Sequence, residues 1–357
     1  MRKAVLIILV VFLGAVYILS CFNKYSLMLA NYRLESKAFW GSEKNDYGDM
    51  YSLCYLPKFK IKAPNKIPVL DDCCKTPRDK NLYVLCDSYL FNFVKTNKIF
   101  NGVKNYWFAR WNINDESEVE VNTRQKNVLL LESTERFLMQ LADSNFVYNT
   151  FKPKPVARDT DVIIAGEKQT YLKTAVIPRY NILQIMFNPR INNTLEFHLF
   201  DYRWLAPLKE IKANLNYNVF NRVDKDVVLS PKKDHLFFNN TVNKNMGSSF
   251  KPMDDQYVEA IVKSLNAVYA HYKAKGFKEV YFSVIPNPVN IVAPQMGDYN
   301  NLIPRIQNHP DLKIRVIDAY SLFQGTNAQV FHPSDTHWNN TGFSLWVREF
   351  NKNLATL

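Results

Sequence analysis

The chain has no run of five or six like charges, no paired Cys-x-x-Cys spacing, no internal repeat and no low-complexity tract. Each absence excludes a class. Without a basic arm, the formal charge of +12, from 45 Lys and Arg against 33 Asp and Glu, reads as a solvated basic surface. Such a surface suits anionic lipid or polysaccharide rather than nucleic acid. Without paired cysteines there is no zinc ribbon, and no cofactor or metal set emerges. At 47% hydrophobic and 22% charged residues, the 357-residue chain is not globally disordered and can form one large domain or two small ones.

What is present begins at the N-terminus. Arg2 and Lys3 precede Ala4 to Ser20, seventeen residues without a charge, twelve of them Leu, Ile, Val or Phe. As a helix this run is roughly 25 Å long, close to the hydrocarbon thickness of a bilayer. Positive charge before it keeps that end cytoplasmic. The reading is a signal anchor in the cytoplasmic membrane, single-pass through residues 4–20, with the bulk exported. A cleaved signal peptide and a lipoprotein acylated at Cys21 are the competing fates. Export permits disulfides among the five cysteines, and Cys54 with Cys73 or Cys74 is the pair considered.

The chain is expected to divide into the membrane segment (1–22), a polar, turn-rich stalk (23–80) and one α/β domain (81–357). Strands are expected at Leu82–Leu85, Val128–Leu131, Val280–Ile285 and Ile314–Ile317. Helices are expected over Leu90–Thr96, Ser133–Ala142, Trp204–Asn216 and Thr341–Asn353. Another should run through Val258, Ile261, Val262, Leu265, Val268 and Tyr269, closed by Gly276. Phe187 to Phe200 reads as strands, and Val227–Leu229 with Leu236–Phe238 as a hairpin. Strand–helix alternation predicts a mainly parallel sheet covered on both faces, a three-layer α/β body.

Open sheets of this kind bind ligands beyond the carboxyl ends of their strands. Asp87-Ser88 follows the first strand, and Asp335-Thr336-His337 lies in a late loop. A serine nucleophile needs a base within hydrogen-bond reach and a third group to orient that base. Alternate residues of an extended segment share a face, so Asp335 can orient His337 and His337 can face Ser88.

At these residues the chain resembles a family. Leu85-Cys86-Asp87-Ser88-Tyr89 resembles the first block of the SGNH hydrolases, usually Gly-Asp-Ser followed by an aromatic or aliphatic residue. Asp335-Thr336-His337-Trp338-Asn339 with Gly342 resembles the signature of the alginate O-acetyltransferases, membrane-tethered SGNH-like proteins that acetylate exported polysaccharide. Leu131 to Phe137, Lys232 to Phe237 and Ile285-Pro286-Asn287-Pro288 resemble three further segments there. Two features depart from the pattern. Cys86 stands where glycine is usual, and the serine block precedes the histidine block. That order is the ordinary SGNH one, also found in the D-alanyl transfer proteins of lipoteichoic acid.

The resemblance implies an extracytoplasmic O-acyltransferase, with acetyl the expected group and an exported or cell-envelope polysaccharide as acceptor. It also implies a polytopic membrane acyltransferase as acyl donor. Ser88, Asp335 and His337 would be catalytic. The backbone of Ser88 or Tyr89 and the amide of Asn287 would be oxyanion donors, with Trp338 and Arg136 touching substrate. A carbohydrate esterase, and a non-catalytic carbohydrate-binding or assembly protein on the same scaffold, are the alternatives. Bland readings stand beside these. Ser88 or Asp87 can cap a helix, Glu132 and Arg136 can pair on successive helical turns, and His332, Asp335 and His337 can bind a metal.

Overall fold

The computed structural model describes residues 2–21, 23–43, 46–62, 77–91, 93–94, 97–111, 117–158, 191–243 and 247–357. They form two compact units, residues 1–63 with 169–224, and residues 64–168 with 225–357.

In the first unit, α1 (Arg2–Cys21) and α2 (Asn23–Glu35) are joined by α5 (Ile191–Phe200) and α6 (Ala206–Phe220). The other unit carries α3 (Ser88–Phe91) and α4 (Ser144–Thr150), which precede α5 and α6 in the chain. α1 is long and apolar enough to cross a membrane, and Val5 to Phe12 are all exposed. α5 packs against α1 and α2. Arg33 of α2 is buried, and its guanidinium fixes the end of α5. It donates to Phe197 O at 2.8 Å and to Asp201 O, and it lies 4.0 Å from the Tyr202 ring centroid. A buried guanidinium is tolerated only with such partners.

Two expectations change here. Residues 191–200 are helical rather than extended, and 187–190 lie outside the described residues. A short apolar run does not by itself separate strand from helix, and this one carries Asn192 and Asn193, poor strand formers. The segment 191–224 also leaves the α/β domain expected at 81–357 and groups with part of the expected stalk. The ties are the Arg33 cluster and Tyr51, whose hydroxyl donates to Glu210 at 2.7 Å.

The second unit is built on a five-stranded sheet in the order β2-β1-β4-β8-β9. The strands are β1 (Lys80–Cys86), β2 (Val103–Arg110), β4 (Lys126–Thr134), β8 (Phe277–Ile285) and β9 (Arg315–Ile317), and every pairing is parallel. Its α/β class and parallel sheet are as the strand–helix alternation predicted. β1 is buried at all seven positions, which explains its apolar run. Leu82, Val84 and Cys86 pack on one face beneath α8 (Asn340–Ala355), with Phe343, Trp346 and Phe350. Tyr83 and Leu85 face α7 (Asp255–Ala274), through Val258, Ile261, Val262, Leu265, Val268 and Tyr272. Burying each such side chain contributes about 1.5–3 kcal/mol. α7 ends at Gly276, whose φ of +92° suits glycine and whose absent Cβ would lie 2.6 Å from Thr123 Cγ2.

β3 (Ser117–Asn122) pairs with β5 (Phe151–Val156), and β6 (Val227–Leu229) forms the expected hairpin with β7 (Leu236–Phe238). β2, β3 and β5 were not anticipated. β5 holds Pro153 and Pro155, which a two-stranded sheet tolerates at alternate positions facing away from the partner. β4 runs to Thr134, with a 3₁₀ turn over Glu135–Ala142 where an α-helix was expected. Glu132 and Arg136 are therefore not on successive turns of one helix. Within Leu90–Thr96, the helix α3 (Ser88–Phe91) starts two residues early, and residues 92, 95 and 96 lie outside the described set. Cys54 is buried, while Cys73 and Cys74 lie outside the described residues.

Candidate active site

β1 delivers Asp87 and Ser88 at its carboxyl end, and the Glu132 side chain and Thr134 N–H of β4 fix the turn. Asp87 is buried. Its Oδ1 accepts from Tyr89 N at 2.9 Å and its Oδ2 from Thr134 N at 2.8 Å. Its own N–H donates to Glu132 Oε2 at 3.0 Å. Asp87 thus caps α3, and Ser88 is left free to turn outward. Burial, aided by the Asp87 charge, holds the Glu132 carboxyl well above the ordinary range. Burial likewise raises the Cys86 thiol, whose side chain belongs to the core beneath the sheet. The glycine-to-cysteine departure therefore adds a packing residue rather than a reactive thiol.

The second half comes from the loop before α8. Phe331 and Trp338 form an antiparallel bridge that closes this loop. Asn339 caps α8, accepting from Thr341 N at 2.9 Å and Gly342 N at 3.0 Å, while its Nδ2 donates to Gln329 O at 2.6 Å. Gly342 is required because a Cβ there would collide with the Val330 carbonyl. The Asn-x-x-Gly spacing of the motif is thus a cap and a close approach. Residues 335–337 form a bend rather than the extended segment expected, and the Asp335 carboxylate reaches His337 by turning back onto its N–H and its ring.

The two halves meet. His337 Nε2 lies 2.8 Å from Ser88 Oγ, and His337 Nδ1 lies 2.5 Å from Asp335 Oδ1. Asp335 Oδ1 also accepts from His337 N at 2.9 Å. The Tyr89 hydroxyl donates to the Thr336 carbonyl, and its ring sits 4.8 Å from the imidazole and 5.4 Å from the Trp338 ring. Tyr89 therefore clamps the serine turn to the histidine loop. The His337 and Asp335 side chains keep 14% and 16% of their surface exposed, so the pair is partly sheltered but open to a ligand.

A third segment buttresses the loop. Ser230 Oγ donates to Asp234 Oδ1 at 2.7 Å, and His235 Nδ1 lies 3.1 Å from the same oxygen. Ser230 and His235 together pull the Asp234 carboxyl down to about 2. His235 Nε2 lies 2.8 Å from Gln329 Nε2, and Leu236 N donates to Pro333 O at 2.8 Å. The Lys232 to Phe237 segment thus braces the chain on which His337 is carried.

Several expectations fail. The Tyr89 N–H is already committed to Asp87, so it is not an oxyanion donor. The amide of Asn287 spends both N–H groups, on Gly247 O at 3.2 Å and Ser249 Oγ at 3.0 Å, while its backbone N–H donates to Glu135 Oε2 at 2.8 Å. The Ser88 N–H, at the first position of α3, has no partner among the described residues and remains the candidate donor. Trp338 is fully buried among Phe323, Phe343 and Trp346, so it is core rather than a substrate platform. His332 has its Nδ1 3.2 Å from Ser334 Oγ and is buried, which makes it a structural histidine rather than a metal ligand. Arg136 lies 5.1 Å from the Phe137 ring, with its Nη1 buried and without a hydrogen-bond partner among the described residues.

The juxtaposition of Ser88, His337 and Asp335 was legible from sequence. Glu132, Thr134 and the Tyr89 hydroxyl were not, because backbone acceptors and donors leave no motif. No family model matches the chain, and neither a curated protein nor a solved structure matches with significance.

Proposed function

We propose that this chain is a membrane-tethered serine O-acyltransferase of the SGNH type, acting outside the cytoplasm on an exported or cell-envelope polysaccharide. The observation that carries the reading is the chain of two hydrogen bonds from Ser88 Oγ through His337 to Asp335, 2.8 and 2.5 Å long. Oxygen, imidazole and carboxylate in that order form a nucleophile, a base and the group that orients the base. Asp335 holds the proton on Nδ1, which leaves the Nε2 lone pair directed at the serine hydroxyl.

In the first half-reaction Ser88 Oγ bonds to the acyl carbon and its proton moves to His337 Nε2. The donor's leaving group takes that proton as its bond to the carbonyl breaks. In the second, a sugar hydroxyl gives its proton to Nε2, attacks the acyl-serine and releases Ser88, which recovers the proton. The Ser88 N–H supports the oxyanion in both steps. Acetyl is the group the motif resemblance favours, with a polytopic membrane acyltransferase as donor. The apolar α1 supplies the tether. Water in place of the sugar would make the same site an esterase.

The test is acetylation of cell-envelope oligosaccharides by the purified full-length protein with p-nitrophenyl acetate as donor. Mass spectrometry should find acetylated sugar with the wild type and none with Ser88→Ala. Release of p-nitrophenol without acetylated sugar would assign an esterase. Equal activity in wild type and Ser88→Ala would remove the proposal.

A further inference from the structure

α6 turns its paired charged side chains toward the protein. Glu210 Oε1 accepts from Tyr51 Oη and from Lys60 Nζ, both at 2.7 Å. Lys209 Nζ donates to Asp201 Oδ1 at 3.3 Å and to Tyr55 Oη at 3.2 Å. The opposite side presents Trp204, just before the helix, then Leu208, Ile211, Leu215 and Val219, which are 55%, 61%, 65%, 56% and 63% exposed. At 100° per residue these five fall within roughly 80° of the helix circumference. A helix free in water arranges itself the other way, with apolar residues against the protein. A contiguous apolar stripe of this length marks an interaction surface.

Three observations identify the occupant. First, the compact unit that carries the stripe also contains α1, the helix able to cross a bilayer, and α5 packs directly on α1 before leading into α6. Second, the outward side bears one charge, Lys212, because the only acid of α6, Glu210, is turned inward. That polarity suits anionic headgroups. Third, the stripe runs at steps of 4, 3, 4 and 4 residues. Heptad spacing would place the last apolar residue at Asn218, whereas it falls at Val219, so the stripe follows a straight helix rather than a supercoiled seam. A flat surface fits it better than a second helix. Exposed Tyr32, Trp40 and Trp204 add the aromatic residues enriched where bilayer meets water.

We infer that α6 lies in the membrane interface, with Trp204, Leu208, Ile211, Leu215 and Val219 buried among lipid headgroups and upper acyl chains. The unit is then held by a spanning helix and a second, in-plane helix. This rests on the membrane tether of the proposed function, and the experiment separates the two. The full-length protein is placed in vesicles of equimolar phosphatidylcholine and phosphatidylglycerol. The photoreactive residue p-benzoylphenylalanine is introduced at Ile211, at inward-facing Asn216 or at Val10 in α1, and thermal melting confirms that each labelled protein is folded. After irradiation, the expected result is lipid adduct at Val10 and at Ile211, with Ile211 about tenfold above Asn216. Lipid adduct at Val10 with none above the Asn216 level at Ile211, or Ile211 cross-linked to a second copy, would overturn the in-plane helix alone. Absence of lipid adduct at Val10 would remove the tether, and this inference with it.

Discussion

Replacing Asp335 by Asn is the most informative single change to the triad. The amide is nearly isosteric and its oxygen can still accept from the His337 backbone N–H, now 2.9 Å from Asp335 Oδ1. The fold of the loop should therefore persist. What changes is the partner of His337 Nδ1, which lies 2.5 Å from the carboxylate. When His337 takes the serine proton it becomes a cation beside that carboxylate. With charge centres roughly 4 Å apart in a partly sheltered site, the attraction is about 4 kcal/mol. Losing it slows acylation about 10³-fold. The backbone N–H and Nδ1 of His337 share one oxygen, so an amide that keeps its oxygen there retains the tautomer, and the expected loss stays at about 10³-fold. The assay is release of p-nitrophenol from p-nitrophenyl acetate, read as kcat, with thermal melting run in parallel. An unchanged Tm with kcat within a few-fold of wild type would refute the role given to Asp335.

Other consequences follow from burial. Glu135 is enclosed, and burial lifts its carboxyl to about 7 despite hydrogen bonds from Asn287, Tyr299, Asn290 and Ser249. Its folded value exceeds the unfolded one, so the stability it contributes is complete below about pH 4.5 and declines as pH rises to about 7, by about 3 kcal/mol. Glu135→Gln keeps the acceptor for Asn287 and Asn290, and its Tm should vary less than that of the wild type across this window; an identical pH profile would contradict the assignment. Trp338→Ala should cost about 3–5 kcal/mol of stability by emptying a core site. Trp338→Phe should keep ester turnover near wild type, whereas a selective rise in KM without loss of stability would restore a substrate role. Arg33→Ala should leave the Asp201 carbonyl without its donor, at about 1–3 kcal/mol, while the Phe197 carbonyl keeps the Asp201 N–H. Limited proteolysis should then cut within residues 191–220 faster than in the wild type, and an unchanged cleavage pattern would count against that tie.

The parts of the fold legible in the sequence are those where burial writes a pattern. β1 and β4 are apolar because both faces are covered, and α7 repeats its apolar residues at helical spacing against the sheet. The triad was legible because its chemistry demands three residue types, and two of them sit at alternate positions of one loop. What escaped was set by tertiary partners. Residues 191–200 are helical in company with α1 and α2, and the two prolines of β5 disguise a strand that pairs with β3. Trp338 was expected to touch substrate because it lies in the histidine motif, yet it fills the core beneath the loop. Asn287 and the Tyr89 N–H looked available because sequence does not reveal which donors are already spent. The inward polar side of α6 was equally hidden, since periodicity reports an apolar stripe without saying what covers it.

The central claim is that the Ser88 hydroxyl is an activated nucleophile. Its most direct measurement is rapid quenching of the full-length protein with p-nitrophenyl acetate, followed by peptide mass spectrometry. The account predicts a single acetyl group on Ser88 that accumulates in wild type and is absent from His337→Ala. Acetylation spread over surface lysines, with Ser88 unmodified or equally modified in both proteins, would contradict it.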